Sequence, residues 1–174
     1  TWRPSWTGRC GDRSFRVIEV RKGVAADAAG LAELAAATFR DTFAAANTPE
    51  DMALHLAQSY GAARQGAELA DPGILALIAF DGEQMAGYAQ LCRSEPPPCV
   101  TVAGAMELWR FYVSQAWHGR GTAQALMQAV VDAAQAQGAT ALWLGVWEHN
   151  PRAQAFYRKA GFADVGSKVF VVGT

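Results

Sequence analysis

The sequence has no excess of charge of either sign and no long apolar run. Its 15 Lys and Arg residues stand against 16 Asp and Glu residues, which gives a formal net charge of -1. A nearly neutral chain has no basic field to attract nucleic acid or anionic lipid, so neither is expected as a partner. The longest stretch without a charged residue, 133–147, is shorter than the roughly 20 apolar residues of a membrane-spanning helix. We therefore expect no membrane segment.

Cysteine is also scarce. The chain has three cysteines, Cys10, Cys92 and Cys99, an odd number that is never spaced as Cys-x-x-Cys. This excludes the disulfide framework of small secreted proteins and the usual structural zinc sites. The first residues carry scattered Arg and Trp and lack the apolar core of a signal peptide. We expect a reduced, cytoplasmic protein without a metal.

The composition is that of one globular domain. Of the 174 residues, 51% are hydrophobic and 18% are charged, a balance that allows one sizeable core. Residues 1–13 show no period, so we expect an irregular leader there and a single domain over 14–174.

Apolar periodicity and turn residues predict a mixed α/β (α+β) sheet with helices on it. The predicted elements, in chain order, are a strand over 15–21, a helix capped by Asp27, a helix capped by Thr48, strands over 74–80 and 84–92, a loop over 94–104, a strand over 105–113, a helix over 121–137, a strand over 140–147, a helix between Asn150 and Gly161, and a strand over 168–172.

A glycine-rich turn joins the strand that ends at Val113 to the predicted helix over 121–137. Gly119 and Gly121 leave backbone N–H groups unshielded at a helix N-terminus, which is a binding site for anions. The third glycine of the dinucleotide motif is missing, and no Gly-Lys-Ser or Gly-Lys-Thr of a P-loop occurs. A plain glycine-rich helix start is the alternative interpretation.

Two patterns in this region resemble the signatures of the GNAT acetyltransferase superfamily. Residues 118–123 fit Gln/Arg-x-x-Gly-x-Gly/Ala except at its first position, where His118 stands. The second pattern, N-x-x-A-x-x-x-Y-x-K-x-G-F, is matched at every fixed position by Asn150, Ala153, Tyr157, Lys159, Gly161 and Phe162. Residues 106–113 and 47–52 are similar to the PaiA-type branch, which is associated with polyamine N-acetylation.

The resemblance implies a fold and a co-substrate. The expected fold is a mixed sheet that splays into a V at its fourth and fifth strands and is flanked by about four helices. Acetyl-CoA would lie in the V, with its pantetheine along a bulged strand that ends at Val113. The coenzyme-binding residues implied are Phe111, Tyr112, Val113, His118, Gly119, Arg120, Gly121, Thr122, Ala123, Asn150 and Tyr157. Asn150 is equally well placed to cap the following helix.

The resemblance also implies catalytic roles. Tyr157 occupies the position of the general acid, and the alternative is that it only packs helix against sheet. The N–H of Val113 would stabilise the developing oxyanion. Glu107 would take a proton from the acceptor through water, although a Glu at the start of a strand is often only solvated. Strict alternation along the strand places Glu107 on one face with Trp109 and Phe111.

The expected acceptor is a small primary amine, with a polyamine as the leading candidate. Its pocket is predicted around Phe39, Phe43, Asn47 and Glu107, together with Thr42, Tyr60 and the 94–104 loop. A protein or peptide N-acetyltransferase, or a non-catalytic acyl-CoA sensor, are the alternative functions. The chain is expected to be a monomer or a homodimer.

Overall fold

The computed structural model describes residues 17–167, apart from the side chain of Ala46. The predicted leader over 1–13 and the predicted strand over 168–172 lie outside these residues. The described part contains five strands and five helices. Their bounds are β1 Glu19–Lys22, α1 Ala28–Phe43, α2 Pro49–Ser59, α3 Ala62–Ala70, β2 Ile74–Asp81, β3 Gln84–Cys92, β4 Met106–Val113, α4 Thr122–Ala136, β5 Leu142–Trp143 and α5 Pro151–Lys159.

The five strands form one mixed sheet in the order β1-β2-β3-β4-β5. The first four strands are antiparallel to their neighbours, and β5 is parallel to β4. A parallel neighbour needs a crossover connection, which α4 provides. The mixed α/β sheet predicted from the sequence is confirmed.

Helices cover both faces of this sheet, because side chains along a strand alternate between its faces. In β2, Leu77 and Ala79 join the core beneath α4, which contributes Leu126 and Val130. Their neighbour Ile78 points to the other face and packs with residues of α1. The second core also contains Leu31, Leu34, Phe39, Met52, Tyr60 and Tyr88.

Two of the three predicted helix caps are confirmed. The Thr48 hydroxyl accepts a hydrogen bond from the Asp51 N–H at 3.1 Å, and Asn150 Oδ1 accepts one from the Ala153 N–H at 3.0 Å. The expectation for Asp27 was wrong, because its side chain makes no capping bond to α1. Its carboxylate instead pairs with Arg21 at 2.8 Å, and this ion pair fixes the connection between β1 and α1.

Helix α3 was not predicted. It lacks the apolar stripe by which helices are recognised, since its two buried residues, Gln65 and Glu68, are polar, and Gly66 lowers its helix propensity. The strand predicted over 140–147 is also much shorter in the structure, where only Leu142 and Trp143 pair with β4.

A bulge interrupts β4 at Trp109. Gln90 pairs with Arg110 and Leu91 pairs with Leu108, so Trp109 has no partner on β3. The extra residue reverses the alternation of side chains along β4. This confirms the bulge implied by the resemblance.

The bulge overturns the expectation that Glu107 and Phe111 share a face. Glu107 pairs with Cys92, whereas Phe111 packs into the core beneath α4. Glu107 therefore lies on the other face of the sheet, the one covered by α1, α2 and α3. Strict alternation would have been correct in a strand without the extra residue.

Strands β4 and β5 separate soon after they meet. They pair only as Met106 with Leu142 and Glu107 with Trp143. From Leu108 onward β4 has no strand partner on this side among the described residues, so a slot opens toward Val113. The V-shaped sheet is confirmed.

Gly87 allows β3 and β4 to approach closely at the open end of the slot. A Cβ on Gly87 would lie 2.8 Å from the backbone oxygen of Tyr112, which is too close.

We expect Gly87→Ala to lower the free energy of unfolding by about 1–3 kcal/mol because the backbone must move. Gly66→Ala is the matched control. Its Cβ would meet only Ala28 at 3.7 Å, so the same change should raise stability by up to about 1 kcal/mol. Urea denaturation of both variants measures the difference, and equal effects would contradict it.

Candidate active site

The glycine turn follows directly from the end of β4. Its conformation requires glycine, since Gly119 and Gly121 have φ angles of 74° and 82°. A Cβ at either position would meet nothing within 4 Å, so the turn faces open space. Trp117 Nε1 donates to Asp81 Oδ2 at 3.1 Å and ties the turn to the β2–β3 hairpin.

The N-terminus of α4 presents hydrogen-bond donors to this space. The Gly121 carbonyl accepts from the Ala125 N–H at 3.0 Å, so the N–H groups of Thr122, Ala123 and Gln124 have no partner within the helix. The Thr122 side chain is fully buried, and its hydroxyl has no partner among the described residues. The unpaired amides and the helix dipole fit a phosphate group.

The side chain of His118 makes two hydrogen bonds. Its Nε2 donates to the Val113 carbonyl at 2.8 Å, and its Nδ1 accepts from Arg152 Nη1 at 2.6 Å. Since one ring nitrogen donates and the other accepts, the two contacts select the neutral imidazole with hydrogen on Nε2. His118 thus joins the end of β4 to the first turn of α5.

The outer edge of β4 points into the slot. The Ser114 N–H donates to the Ala86 carbonyl of β3 at 2.9 Å. Because backbone groups alternate between the two edges of a strand, the N–H groups of Phe111 and Val113 face away from β3. These are the donors available to a molecule lying in the slot.

Tyr157 lies across the slot from β4. Its ring contacts Phe111 edge-to-face at 6.1 Å between centroids, and it also touches Phe156 and Phe162. Burial raises the pKa of Tyr157 above its usual value of 10, so the phenol is protonated at neutral pH. A protonated phenol beside the β4 edge can donate a proton there.

The aromatic residues predicted for the acceptor pocket come together. Phe39 contacts Phe43 at 4.6 Å and Tyr60 at 5.2 Å. Phe43 reaches Trp147, beyond β5, at 5.4 Å, which brings the end of α1 to the slot. His55 stacks on Phe39 at 4.6 Å. His55 and Trp147 were missed, although both are aromatic residues next to predicted pocket elements.

The polar groups predicted for the same pocket serve local structure. Asn47 Nδ2 donates to the Phe43 carbonyl at 2.8 Å, and the Thr42 hydroxyl donates to the Thr38 carbonyl at 2.8 Å. Both groups therefore stabilise the end of α1. Burial and the nearby positive charge of Arg110 lower the pKa of His55, so its imidazole is neutral at pH 7.

A buried ion pair beneath α3 was also missed. The Glu68 carboxylate accepts from Arg110 Nη1 at 2.6 Å, Gln90 Nε2 at 3.0 Å and Arg64 Nε at 2.9 Å. The side chains of Glu68 and Arg110 are only 5% and 9% exposed. Burial acts to raise the pKa of Glu68, but the three donors together lower it. The i, i+4 spacing of Arg64 and Glu68 was the available signal.

Tyrosines and a tryptophan surround this ion pair. The Arg110 guanidinium lies 4.0 Å from the ring centroid of Trp109 and 5.1 Å from that of Tyr60. Tyr88 and Tyr112 stack beside it at 5.7 Å, and burial raises the pKa of both. We call these residues, with Glu68 and Gln90, the polar layer between the sheet and helices α2 and α3.

Glu107 lies on the same face, near the closed end of the slot. Its Oε2 accepts from the Ser94 hydroxyl at 2.5 Å, which brings the predicted 94–104 loop against it. Cys92 Sγ lies 3.8 Å from the same oxygen. Burial and the Glu107 charge raise the pKa of the Cys92 thiol, which stays protonated.

Other acidic residues near the slot-side helices and strands are exposed. Asp41, Glu50 and Asp51 lie on the outside of α1 and α2. The side chains of Glu148 and His149 are 83% and 71% exposed and form a surface pair. Within residues 17–167, no cluster of three metal-ligating side chains is present. No helix in that part of the chain is long and apolar enough to span a membrane.

A sheet that splays beside a glycine turn at a helix N-terminus, with a tyrosine across the slot, is the arrangement expected of a coenzyme A-dependent acyltransferase. The chain belongs to the acetyltransferase (GNAT) family, whose profile matches residues 30–162. It is therefore an N-acetyltransferase, with acetyl-CoA as the acetyl donor.

Two relatives support this assignment. An uncharacterized N-acetyltransferase of Mycobacterium tuberculosis is 37% identical over 147 residues, which are 84% of this chain and 90% of that protein. Another, encoded in the pepI 3′ region of Lactobacillus delbrueckii subsp. lactis, is 34% identical over 137 residues, 78% of this chain and 79% of that protein.

Solved structures share the fold at lower identity. The PaiA N-acetyltransferase from Thermoplasma acidophilum, in complex with coenzyme A, has a TM-score of 0.73 and 23% identity over 84% of this chain and 90% of that one. An aminoglycoside N-acetyltransferase in complex with a bisubstrate analogue has a TM-score of 0.66 and 17% identity over 91% and 99% of the two chains.

The buried ion pair generates a prediction about stability. Glu68→Gln leaves the Arg110 guanidinium buried without its counterion, so the free energy of unfolding should fall by about 3 kcal/mol. Arg64→Gln removes only the second cation beside Glu68, whose side chain is 57% exposed. It should lower the free energy of unfolding by less than about 1 kcal/mol. Urea denaturation at neutral pH measures both, and equal losses would show that burial of the pair does not matter.

The same pair predicts a dependence on pH. Because the pKa of Glu68 is below its ordinary 4.5 in the folded protein, ionised Glu68 contributes stability above that pH. This contribution should disappear as the pH falls through the folded pKa. Urea titrations between neutral pH and pH 3 should show a smaller loss for Glu68→Gln than for the wild type.

Proposed function

We propose that the protein transfers the acetyl group of acetyl-CoA directly to a small primary amine, and that the reaction takes place in the slot where β4 and β5 separate. The observation that carries this proposal is the contact between Tyr157 and Phe111. It puts a protonated phenol beside the exposed edge of β4, in the same slot whose open end has the phosphate-binding turn. An acid and an oxyanion donor are the two groups that acyl transfer from a thioester requires.

The turn would bind the phosphates of the donor. The backbone N–H groups of residues 119–123, which include His118's neighbour Gly119 and the start of α4, are the donors proposed for this contact. The edge of β4, through Phe111 and Val113, would pair with the amides of pantetheine as an added strand does. Tyr112 and Arg120 complete the coenzyme-binding residues on either side of these donors, and Asn150 supports them by capping α5.

Two residues act at the thioester itself, which acetyl-CoA supplies as the activated acyl group. A β4 N–H stabilises the negative charge that develops on the carbonyl oxygen when the amine attacks. Val113 is one donor of this kind. The ring of Tyr157 contacts that of Phe111. Phe111 lies about 7 Å from Val113 along the strand at the usual rise per residue, so the Phe111 N–H is nearer to Tyr157 than the Val113 N–H is. Tyr157 then donates its proton to the departing sulfur.

Glu107 would remove a proton from the acceptor amine. It lies four positions before Phe111 along β4, a distance of roughly 10–13 Å, so the proton must pass through water. Ser94 holds the carboxylate by its 2.5 Å hydrogen bond. No Lys, Arg or His among the described residues forms an ion pair with Glu107, so its charge is available to attract a cationic acceptor.

The acceptor proposed is a polyamine or another small cationic amine. The rings of Phe39, Phe43 and Trp147 at the slot suit a cation through cation–π contacts. The fold neighbours named for PaiA and for an aminoglycoside N-acetyltransferase are consistent with such an acceptor. Asp41, Glu50 and Asp51 are exposed and contribute at most long-range attraction.

A product assay tests the proposal. The protein is incubated with acetyl-CoA and a panel of spermidine, spermine, diamines, amino acids, aminoglycosides and short peptides, and acetylated products are identified by mass spectrometry. We expect a polyamine or another small amine to be acetylated. An acetylated peptide alone would favour a protein N-acetyltransferase. Binding of acetyl-CoA without any product would favour a sensor.

Tyr157→Phe should separate chemistry from binding. Without the phenol the leaving thiolate lacks its acid, so turnover should fall at least about tenfold, while the affinity for acetyl-CoA stays the same. Tyr88→Phe is the matched control, because the Tyr88 hydroxyl is buried on the opposite face and has no hydrogen-bond partner among residues 17–167. Steady-state kinetics and calorimetry measure the two properties, and unchanged turnover would remove Tyr157 from the mechanism.

Glu107→Gln should lower turnover, and turnover of the variant should fall less steeply as the pH is lowered. The reason is that a carboxylate accepts a proton only when it is ionised, whereas glutamine does not titrate. Glu95→Gln, an exposed change in the adjoining loop, should leave the pH–rate profile as it is. A wild-type profile for Glu107→Gln would show that this carboxylate is not the base.

A further inference from the structure

The carboxylate of Glu107 is hydrogen-bonded at only one of its two oxygens. Oε2 accepts from the Ser94 hydroxyl at 2.5 Å, and the Cys92 thiol lies 3.8 Å from the same oxygen. Burial and the Glu107 charge raise the pKa of this thiol, so it stays protonated and is a second, weaker donor. Among residues 17–167, Oε1 has no hydrogen-bond partner. It is accessible to water, since Glu107 is only half-buried.

Ser94 is restrained by the chain on both sides of it. Before it, Arg93 lies on the opposite face of the sheet and donates from Nη2 to the Gln137 carbonyl just beyond α4, at 2.7 Å. After it, Glu95 is followed by three consecutive prolines, residues 96–98, whose rings fix φ at about −65°. A donor on a restrained segment loses little conformational entropy when it binds. The hydrogen bond to the carboxylate is therefore preorganised.

Other charges near Glu107 are few and largely compensated. The titratable or charged groups described on its face of the sheet are Cys92, Arg110, Glu68, His55, the tyrosines of the polar layer and the exposed Glu95. None of them forms an ion pair with Glu107, and Arg110 and Glu68 compensate each other. On the β5 side the paired residue is Trp143, which does not titrate. Substitutions that leave these groups unchanged therefore isolate the effect of the donors to Oε2.

We propose that Ser94 is the positioning residue of Glu107: together with the Cys92 thiol it holds Oε2, and it thereby turns Oε1 toward the water that relays the proton of the acceptor. The inference rests on the proposed function, in which Glu107 is the base. The relaying water gives one proton to Oε1 and takes one from the ammonium group of the acceptor. The step leaves a neutral amine, a water molecule and a protonated carboxyl group, and the amine can then attack the thioester.

The two donors also set the pH range in which Glu107 can act. A hydrogen bond to a carboxylate stabilises its ionised form. Without the Ser94 hydroxyl, the carboxylate should take up a proton at a higher pH, so the acid limb of the pH–rate profile should move up by about one pH unit. A thiol is a weak donor, so removal of the Cys92 thiol should move the limb in the same direction by less.

An NMR titration measures this effect without any acceptor. Glutamate is labelled with ¹³C at its side-chain carboxyl, and the Glu107 signal is assigned by its absence from Glu107→Gln. The midpoint of this signal should rise by about one pH unit in Ser94→Ala and by less in Cys92→Ala. Thr101→Ala, which removes a hydroxyl from an exposed position of the same loop, should leave it unchanged. Ser94→Thr retains the hydroxyl and should titrate as the wild type does.

Kinetics then connect the hydrogen bond with the reaction. The assay uses saturating acetyl-CoA and the best acceptor of the amine and peptide panel. Below the acid limb, turnover of Ser94→Ala should be about tenfold lower than that of the wild type, with an unchanged KM for acetyl-CoA. In a double-mutant cycle, Ser94→Ala should lower the turnover of the wild type but not that of Glu107→Gln, because Ser94 acts through this carboxylate.

Two results would overturn the inference and leave the proposed function intact. An unchanged NMR midpoint in Ser94→Ala would show that this hydroxyl does not bond to Glu107 in solution. Losses of turnover that multiply in the double mutant would show that Ser94 acts elsewhere. A wild-type pH–rate profile for Glu107→Gln would instead refute the proposed base together with the inference, and the lack of any acetylated product would refute the proposed function.

Discussion

The backbone N–H groups on the outer edge of β4 can bind a ligand only if no strand pairs with them. Several features of the described structure keep this edge unpaired. Unpaired backbone groups are costly when they are buried, so a free edge persists only where it faces a ligand or solvent. The bulge at Trp109 and the two-residue pairing with β5 create this edge. Gly87 allows β4 to lie close to β3, because it has no Cβ. The hydrogen bond from His118 to the Val113 carbonyl restrains the end of β4.

The polar layer beneath α3 supports the same strand from the other face. Glu68 and Arg110 are both nearly buried, so each requires the other, and Gln90 satisfies both with one amide. Because Arg110 comes directly after the bulge residue, this ion pair fixes the strand where its alternation reverses. A layer of this kind stabilises the sheet less than an apolar core would, but it specifies a single register.

Local patterns allowed much of the site to be predicted from the sequence. The glycine turn and the Asn150-Pro151 cap each depend on neighbouring residues, and both appear where expected. The face of Glu107 was wrong because a bulge depends on pairing with β3, which periodicity does not show. Helix α3 was missed because its buried face is polar and is satisfied only by Arg110 and Gln90, which are distant in sequence.

Charge is distributed along the slot in a way that suits two substrates of opposite charge. At the open end, the N-terminus of α4 carries the positive end of the helix dipole, which suits phosphates. At the closed end, the carboxylate of Glu107 accepts a hydrogen bond from the uncharged Ser94 hydroxyl and forms no ion pair with a described basic residue. Between them, Glu68 and Arg110 compensate each other and contribute little net field. An anionic donor would therefore be attracted to the open end of the slot and a cationic amine to the closed end. Tyr157 lies between the two ends, where acetyl transfer is proposed.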